Sequence, residues 1–478
     1  MSRRHLLVTY AWSINNIGDM GIQAGLFTLL RQQHPGMPVK LISYLPEDDP
    51  ACRHYRQVLP QYNPDGEVLP MPFFDLIGGD PLPDAASEAI SQTAVKGSAW
   101  KSLQQRHGAL TLEQFRTGIV SSHTAEAIAD DLLNRFPLEL YADLQEHFPR
   151  LAEAFAQAGF VYYNSGTTLN FGRLGVRRLF GYTLPLAMSL LLARALRIPY
   201  GIGSQSFDLI EWPVDLVYEQ LFRDAEFVFC RDTDSLHYLE QKHFTFKETG
   251  FRPDTTVFFT AGDDEWAEQY LAEQELTPER FVIVILRLSN PTPTYHDPTG
   301  GTVGLERRRH HLTAMKEYVE NIVAETGNKV LIAHETRGTL EKNTSARALL
   351  FDQLTPEARR QCVTMDFFWT PEQALAVMRR SALLVSVEMH SIIMGIGNAV
   401  PVLHVPYAEC GRKRQMVRDM GLDECLIDLD DPLAAEKMLA ATKAILADPQ
   451  AMRQRLRQVK KELVRLATDT FQHVAGYL

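Results

Sequence analysis

Short apolar runs alternate with longer amphipathic stretches along most of this chain, the pattern of strands and helices taken in turn. Residues 6–10 read as a buried strand, 11–19 as a polar, glycine-bearing loop, 20–32 as a helix and 39–44 as a second strand, which together make a βαβ unit. The alternation recurs with strands at 160–163, 200–202 and 226–230 and helices at 184–196 and 213–223. It starts again at the strand 281–286 and runs through the helix 312–326, the strand 330–333, the helix 371–380 and the strand 382–387. Such a series predicts an α/β fold with mostly parallel sheets, because right-handed crossovers return each strand in the same direction. Residues 81–153 are rich in Ala, Gln, His and Glu, lack strand-like runs and predict a helical insertion. The polar stretch 261–265 separates the two series. The expected domains are therefore 1–262, carrying the insertion at about 81–153, and 263–478, closing with a long charged amphipathic helix at 448–474.

At 478 residues the chain exceeds what one hydrophobic core usually organises, which agrees with two domains. With 48 basic against 59 acidic residues its net charge is −11, and this argues against a general nucleic-acid binder. An anionic substrate must then be held by a few specific arginines. Five widely spaced cysteines with no C-x-x-C pair disfavour a disulfide framework and a structural zinc site, so a reducing cytoplasm is expected. The basic N-terminus runs at once into a short strand-like segment rather than the apolar core of a signal peptide. The most hydrophobic later segment, 184–192, is stopped by Arg194 and Arg197, short of the roughly 20 residues that span a bilayer.

The segment 381–407 reads as strand, polar turn, short helix and second strand, and it places Glu388 and His390 where a strand ends and a helix begins. Open α/β sheets bind ligands at such turns. Two further strand ends carry Arg287 and the pair His334 and Arg337. Arg231 also follows a strand, beside a helix start capped by Asp232 or Ser235. It can take a carboxylate or phosphate bidentately, or pair with Asp232 or Asp234. The loop with Asn16, Gly18 and Asp19 opens the first helix and suits either an anion or polar sugar or an ordinary turn and cap. Gly203 and Ser204 follow a strand where backbone can approach a ligand, or where a tight turn is needed. The run Arg307, Arg308, Arg309, His310, His311 is a dense positive cluster or a solvated helix face.

Taken in order, these motifs resemble the polysaccharide pyruvyl transferase family over nearly the whole chain outside the insertion. The resemblance rests on the N-x-G-D loop (Asn16, Gly18, Asp19), the turn at Gly203, the R-D-x-x-S step (Arg231, Asp232, Ser235) and the pair Pro253, Asp254. The second half adds Thr370, Pro371 and Glu372, the turn at His390 and Ser391, and the P-V-x-x-x-x-Y stretch ending at Tyr407. It implies a glycosyltransferase-B-like arrangement of two Rossmann-like domains facing a cleft. It also implies transfer of a pyruvyl (carboxyvinyl-derived) group from phosphoenolpyruvate to two hydroxyls of a saccharide, as a ketal, in exopolysaccharide biosynthesis. No metal or cofactor is demanded beyond phosphoenolpyruvate as donor. On this likeness Arg231 and Arg287, with Ser391, Gly203 and Ser204, are expected to hold the donor, and Asn16, Gly18 and Asp19 the acceptor. His390, Glu388 and His334 are the expected catalytic residues. The partners are then a small-molecule donor and a saccharide-like acceptor, with contact at a membrane surface if the acceptor is lipid-linked.

The chain departs from the family at telling places. It reads Glu388-Met389-His390 where Arg-Leu-His is usual, a two-unit charge change that would repel an anionic donor by a few kcal/mol at an effective dielectric of about 20. Asn164, Ser165, Gly166, Thr167 and Thr168 replace a run of glycines, and Cys410 stands where Lys is common, with Arg412 or Lys413 nearby to compensate. A divergent member is therefore expected. A nucleotide-sugar glycosyltransferase of the same architecture is the alternative, with Glu388 accepting hydrogen bonds from a ribose or sugar diol. A silent binding protein that lost its donor site through Glu388 is the third.

Overall fold

The computed structural model describes residues 4–11, 13–43, 47, 49–70, 73, 76, 97–169, 184–207, 210–287, 302–340 and 345–478. The first part of the expected insertion, 81–96, lies outside them. Two compact units form. The first takes Met1–Ser13, Leu29–Asp254 and Ala467–Leu478, and the second takes Ile14–Thr28 and Thr255–Leu466. Neither is one continuous stretch, where the hydrophobic pattern suggested a single cut after residue 262.

In the first unit seven strands form one sheet: β1 (His5–Ala11), β2 (Val39–Ser43), β3 (Glu67–Leu69), β4 (Ala158–Tyr163), β5 (Tyr200–Gln205), β6 (Val228–Cys230) and β7 (Thr249–Phe251). The order is β3-β2-β1-β4-β5-β6-β7 and every pair is parallel. All seven residues of β1 are buried, with Leu6 opposite both Val39 and Phe160. A parallel strand covered by helices on both faces calls for such an unbroken apolar run rather than alternation. The helices described are α1 (Ile17–Gln33), α2 (Pro50–Tyr62), α3 (Ala99–His107), α4 (Ala109–Thr117), α5 (Ser122–Asn134), α6 (Phe136–His147), α7 (Pro149–Gln157), α8 (Leu184–Ala195), α9 (Asp215–Asp224) and α10 (Thr233–Gln241).

The insertion helices are pinned by one guanidinium. Arg106 on α3 donates from Nε and Nη2 to the two oxygens of Asp131 on α5, at 2.6 and 2.8 Å, and from Nη1 to Glu139 on α6 at 2.9 Å. His107 adds a 2.7 Å contact to Asp131. Burial raises the Asp131 carboxyl, but Arg106 and His107 outweigh it and hold it below the usual range. The apolar run that opens α8 is buried from Leu184 to Ala193, which accounts for its hydrophobicity. Among the described residues no helix is long and apolar enough to cross a membrane.

The second unit repeats the plan with β8 (Phe281–Ile285), β9 (Lys329–Ala333), β10 (Cys362–Thr364), β11 (Leu383–Ser386) and β12 (Val402–His404), parallel throughout in the order β10-β9-β8-β11-β12. Its helices include α11 (Asp264–Glu273), α12 (Thr302–Thr326), α13 (Pro371–Met378), α14 (Met389–Gly397), α15 (Lys413–Asp419), α16 (Ala434–Ala447) and α17 (Pro449–Ala475). Helix α13 starts on a capping box: Thr370 Oγ1 accepts from Gln373 N, and Gln373 Oε1 accepts from Thr370 N. Val282, Val284, Val330, Ile332, Leu383 and Val385 of the strands pack with Tyr318, Val319 and Ile322 of α12.

The first part of α1 belongs to this second unit for a reason visible in two glycines. A β-carbon at Gly25 would lie 2.0 Å from the Thr255 carbonyl oxygen, and one at Gly397 in α14 would lie 2.0 Å from that of Val257. The single helical turn Thr255–Phe258 therefore packs directly on both helix backbones, and Thr255 Oγ1 donates to the Ile22 carbonyl at 2.8 Å. In each sheet the chain order reverses at one point, between β1 and β4 and between β8 and β11. Ligands of open α/β sheets bind outside the carboxyl ends of strands at such reversals.

Candidate functional site

At the reversal in the second unit, β8 runs into Arg287 and β11 into Glu388. Glu388 occupies the N-cap of α14 with extended backbone, yet its side chain makes no capping bond. It turns instead to two cations: Oε2 accepts from Arg287 Nη1 at 3.1 Å and from Lys413 Nζ at 3.0 Å. Ser386 Oγ donates to the Glu388 carbonyl at 2.7 Å and fixes the backbone beneath. Glu388 is only 5 % exposed, while Arg287 and Lys413 keep a third and a quarter of their side chains in solvent. Burial pushes the Glu388 carboxyl up, and the two cations overcome it, holding it at about 2. Glu388 in turn raises the Arg287 guanidinium above its ordinary value. The cluster is an ionised carboxylate between two cations, of net charge +1. Burial raises the Cys410 thiol, although Arg287 and Lys413 act in the opposite direction.

One helical step further, His390 meets a carboxylate absent from the sequence reading. Glu335, fully buried where β9 ends, places Oε1 3.3 Å from His390 Nδ1. Its Oε2 accepts from Ser391 N at 2.7 Å and from Ser391 Oγ at 2.6 Å. The start of α1 is strapped to the same loop: Ile17 N donates to the Glu335 carbonyl at 3.0 Å, Arg337 N to the Asn15 carbonyl at 2.8 Å, and Asn16 bridges Thr336. Gly18 lies so close to His390 that a β-carbon there would sit 2.1 Å from the imidazole Cγ. Asn16 Oδ1 accepts from Gly18 N at 2.7 Å, so that amide serves the turn. Asp19 stands in the first turn of α1, partly exposed.

His334, Arg231, Gly203 and Ser204 are placed differently from expectation. His334 is buried, with Nε2 2.9 Å from the Met365 carbonyl and Nδ1 2.7 Å from Thr339 Oγ1, while its own carbonyl accepts from Trp369 Nε1 at 2.7 Å. Burial lowers its pKa against the pull of the Met365 carbonyl, and both ring nitrogens are taken up by contacts that secure the β9 loop. Arg231 was expected to face a donor; it is 6 % exposed and pairs through Nη1 with buried Asp254 at 2.7 Å. Its Nε donates to Ser206 Oγ at 2.8 Å, and Ser206 donates to Asp232 at 2.6 Å. Asp232 caps α10 by accepting from Ser235 N at 2.7 Å. Neither ion pair weighed from the sequence, with Asp232 or Asp234, is the one formed. Ser204 Oγ lies 2.6 Å from Ser165 Oγ and donates to the Pro253 carbonyl at 2.8 Å. Gly203 lies against the Tyr162 hydroxyl.

These polar groups knit the ends of β5 and β6 within the first unit. Arg231→Ala is accordingly expected to cost about 3 kcal/mol of stability, by stranding Asp254 in the interior. Urea unfolding checks it: a variant as stable as the parent that has lost donor binding would return Arg231 to the donor-binding set.

Part of the positive run ahead of β9 is engaged as well. His311 Nε2 lies 2.7 Å from Asp430 Oδ1, with Arg307 Nε at 3.6 Å, and the His311 ring stacks on Tyr407 at 4.6 Å. Among the described residues no group of three or more His, Cys, Asp or Glu side chains is arranged to hold a metal ion.

The sequence pattern of one family, described as polysaccharide pyruvyl transferase, matches residues 16–409. No curated protein matches the chain in sequence. Among solved structures, a UDP-GlcNAc 2-epimerase from Neisseria meningitidis bound to UDP-GlcNAc aligns with 98 % of this chain and 99 % of its own, with a TM-score of 0.51 at 9 % identity. The Anabaena protein Alr3699/HepE in complex with UDP and glucose aligns over 100 % of both chains, with a TM-score of 0.51 at 11 % identity. At such identity the likeness is one of fold, and the fold is a glycosyltransferase-B-like architecture of two Rossmann-like α/β units.

Proposed function

The chain belongs to the polysaccharide pyruvyl transferase family, and from that premise we propose that it transfers a group from a phosphorylated donor, held at the second unit's strand reversal, to a saccharide hydroxyl. Glu388 carries the choice of donor. An ionised carboxylate only accepts hydrogen bonds, so it suits a vicinal diol with two O–H donors, and the flanking Arg287 and Lys413 suit a diphosphate. A nucleoside diphosphate sugar offers both groups. Phosphoenolpyruvate offers a carboxylate and a phosphate with no hydroxyl donor, so Glu388 opposes it.

In the nucleotide-sugar reading the bond between the anomeric carbon and the diphosphate breaks, and its electron pair leaves with the nucleoside diphosphate. The acceptor oxygen forms the new bond to that carbon, and its proton passes to His390. Uridine diphosphate is the natural first probe, because the Neisseria epimerase and the Anabaena protein of this fold were solved with UDP-GlcNAc and with UDP and glucose.

The family match over 16–409 supports a second reading, pyruvyl transfer from phosphoenolpyruvate. There an acceptor hydroxyl adds to C2 and its proton passes through His390 to C3, and a second hydroxyl of the same sugar displaces phosphate, which takes that hydroxyl's proton, to close the ketal. Arg287 and Lys413 would hold the phosphate. None of the five cysteines forms a disulfide, which supports work in a reducing compartment such as the cytoplasm.

Phosphorus NMR of the protein with UDP-glucose, UDP-N-acetylglucosamine, phosphoenolpyruvate and a mixture of oligosaccharide acceptors separates the readings. Release of UDP is the expected result. Release of inorganic phosphate from phosphoenolpyruvate alone would replace it by pyruvyl transfer.

A further inference from the structure

We propose that Glu335 is the positioning residue that sets the tautomer of His390, an inference that rests on the acid–base role given to His390 above. Glu335 has two oxygens with two tasks. Oε2 is committed to the first turn of α14 through Ser391 N and Ser391 Oγ, at 2.7 and 2.6 Å. Oε1 is left to the imidazole, 3.3 Å from Nδ1. A carboxylate in that position accepts, so Nδ1 is the nitrogen that carries the proton and the lone pair of the neutral ring lies on Nε2.

Two neighbours make the arrangement rigid. The ring cannot swing toward α1, because backbone of Gly18 already fills that side to the point that a β-carbon would overlap Cγ and Nδ1 at 2.1 and 2.2 Å. The backbone of Glu335 is itself tied to α1, since Ile17 N donates to its carbonyl at 3.0 Å. Glu335 thus joins the start of α1, the start of α14 and the imidazole in one buried unit, and any displacement of the carboxylate moves all three.

The chemical consequence concerns one proton. When the acceptor O–H bond breaks, the proton forms the new N–H bond at Nε2 and the Nδ1 proton stays where it is. The imidazolium so formed lies against the Glu335 carboxylate, which favours the charged ring and orients the neutral one.

The test uses the full chain labelled with carbon-13 in its histidine rings, with His390→Gln to assign the resonance. The Cδ2 shift reports the tautomer and the Cε1 shift the titration, and neither needs a donor or acceptor. In the parent the neutral His390 ring is expected to carry its proton on Nδ1. In Glu335→Gln the titration midpoint is expected to fall by about one pH unit, because the charge that favours imidazolium is gone. Ser391→Ala removes one bond to Oε2 and leaves Oε1 in place, so it is expected to keep the parent midpoint. This variant also separates loss of the carboxylate from general loosening of the helix start.

With whichever donor is turned over, Glu335→Gln is expected to lower kcat about 100-fold, with the limb of the pH profile that follows His390 displaced in the same direction as the midpoint. A parent ring protonated on Nε2, or a midpoint that Glu335→Gln leaves unmoved, would overturn the assignment. Full turnover by His390→Gln, with the expected resonances intact, would instead sink the acid–base role and leave the Glu335–His390 bond standing.

Discussion

Glu388→Gln is expected to weaken UDP binding about 100-fold, strengthen phosphoenolpyruvate binding, and lower stability at neutral pH on the order of 3 kcal/mol. The substitution keeps the size of the side chain and removes the one negative charge between Arg287 and Lys413, so the net charge of the three groups rises from +1 to +2. A diol loses an acceptor-only partner. An anionic donor loses a repulsion and gains two unneutralised cations.

The stability effect has a defined pH dependence. The folded-state pKa of Glu388 is depressed to about 2, so its contribution is present above the unfolded carboxyl value and is lost as pH falls from about 4.5 toward 2. The difference in unfolding free energy between the parent and Glu388→Gln should therefore shrink steadily in urea titrations run from pH 5 to pH 3. A difference that stays constant over this window would mean that the carboxylate is not held ionised by its two neighbours.

His390→Gln is expected to lower kcat about 1,000-fold, within the range that a positioned acid or base supplies, and to leave donor affinity nearly unchanged. The split follows from the geometry. Donor recognition is assigned to Glu388, Arg287 and Lys413, while His390 lies beyond Glu388 on the first turn of α14 and is held by Glu335. Steady-state kinetics with the donor varied reads both quantities. A variant that loses donor affinity and keeps kcat would place His390 among the binding groups.

Much of the fold was legible because parallel strands buried on both faces leave unbroken apolar runs. The stretches at 6–10, 160–163, 281–286, 330–333 and 382–387 correspond to β1, β4, β8, β9 and β11. The strands that escaped, β3, β7 and β10, have three residues each and, unlike the equally short β6 and β12, do not sit in longer apolar runs. Glycine patterning hid another fact. Gly25 and Gly397 each mark where the turn Thr255–Phe258 meets a helix backbone, and this joins the first part of α1 to the second unit.

At the candidate site, strand ends with charged residues drew attention to the β8 and β11 termini, where Arg287 and Glu388 meet. The same logic failed for Arg231 and His334, because a charged residue at a strand end can serve the next helix or a buried partner as well as a ligand. Asp254 and Met365, which engage those two side chains, lie 23 and 31 residues away, and Thr339 joins Met365 on the His334 ring from five residues on. Glu335 was overlooked between His334 and Arg337, since nothing local distinguishes a carboxylate that turns inward to Ser391 and His390, 56 and 55 residues on.

The most direct measurement is a calorimetric titration of the parent and Glu388→Gln with UDP and with its 2′,3′-dideoxy analogue, beside phosphoenolpyruvate. If Glu388 reads a ribose diol, the parent binds UDP about 100-fold more tightly than the dideoxy compound, and the preference disappears in the variant. Equal affinity of the parent for the two nucleotides, or binding of phosphoenolpyruvate with none of UDP, would contradict it.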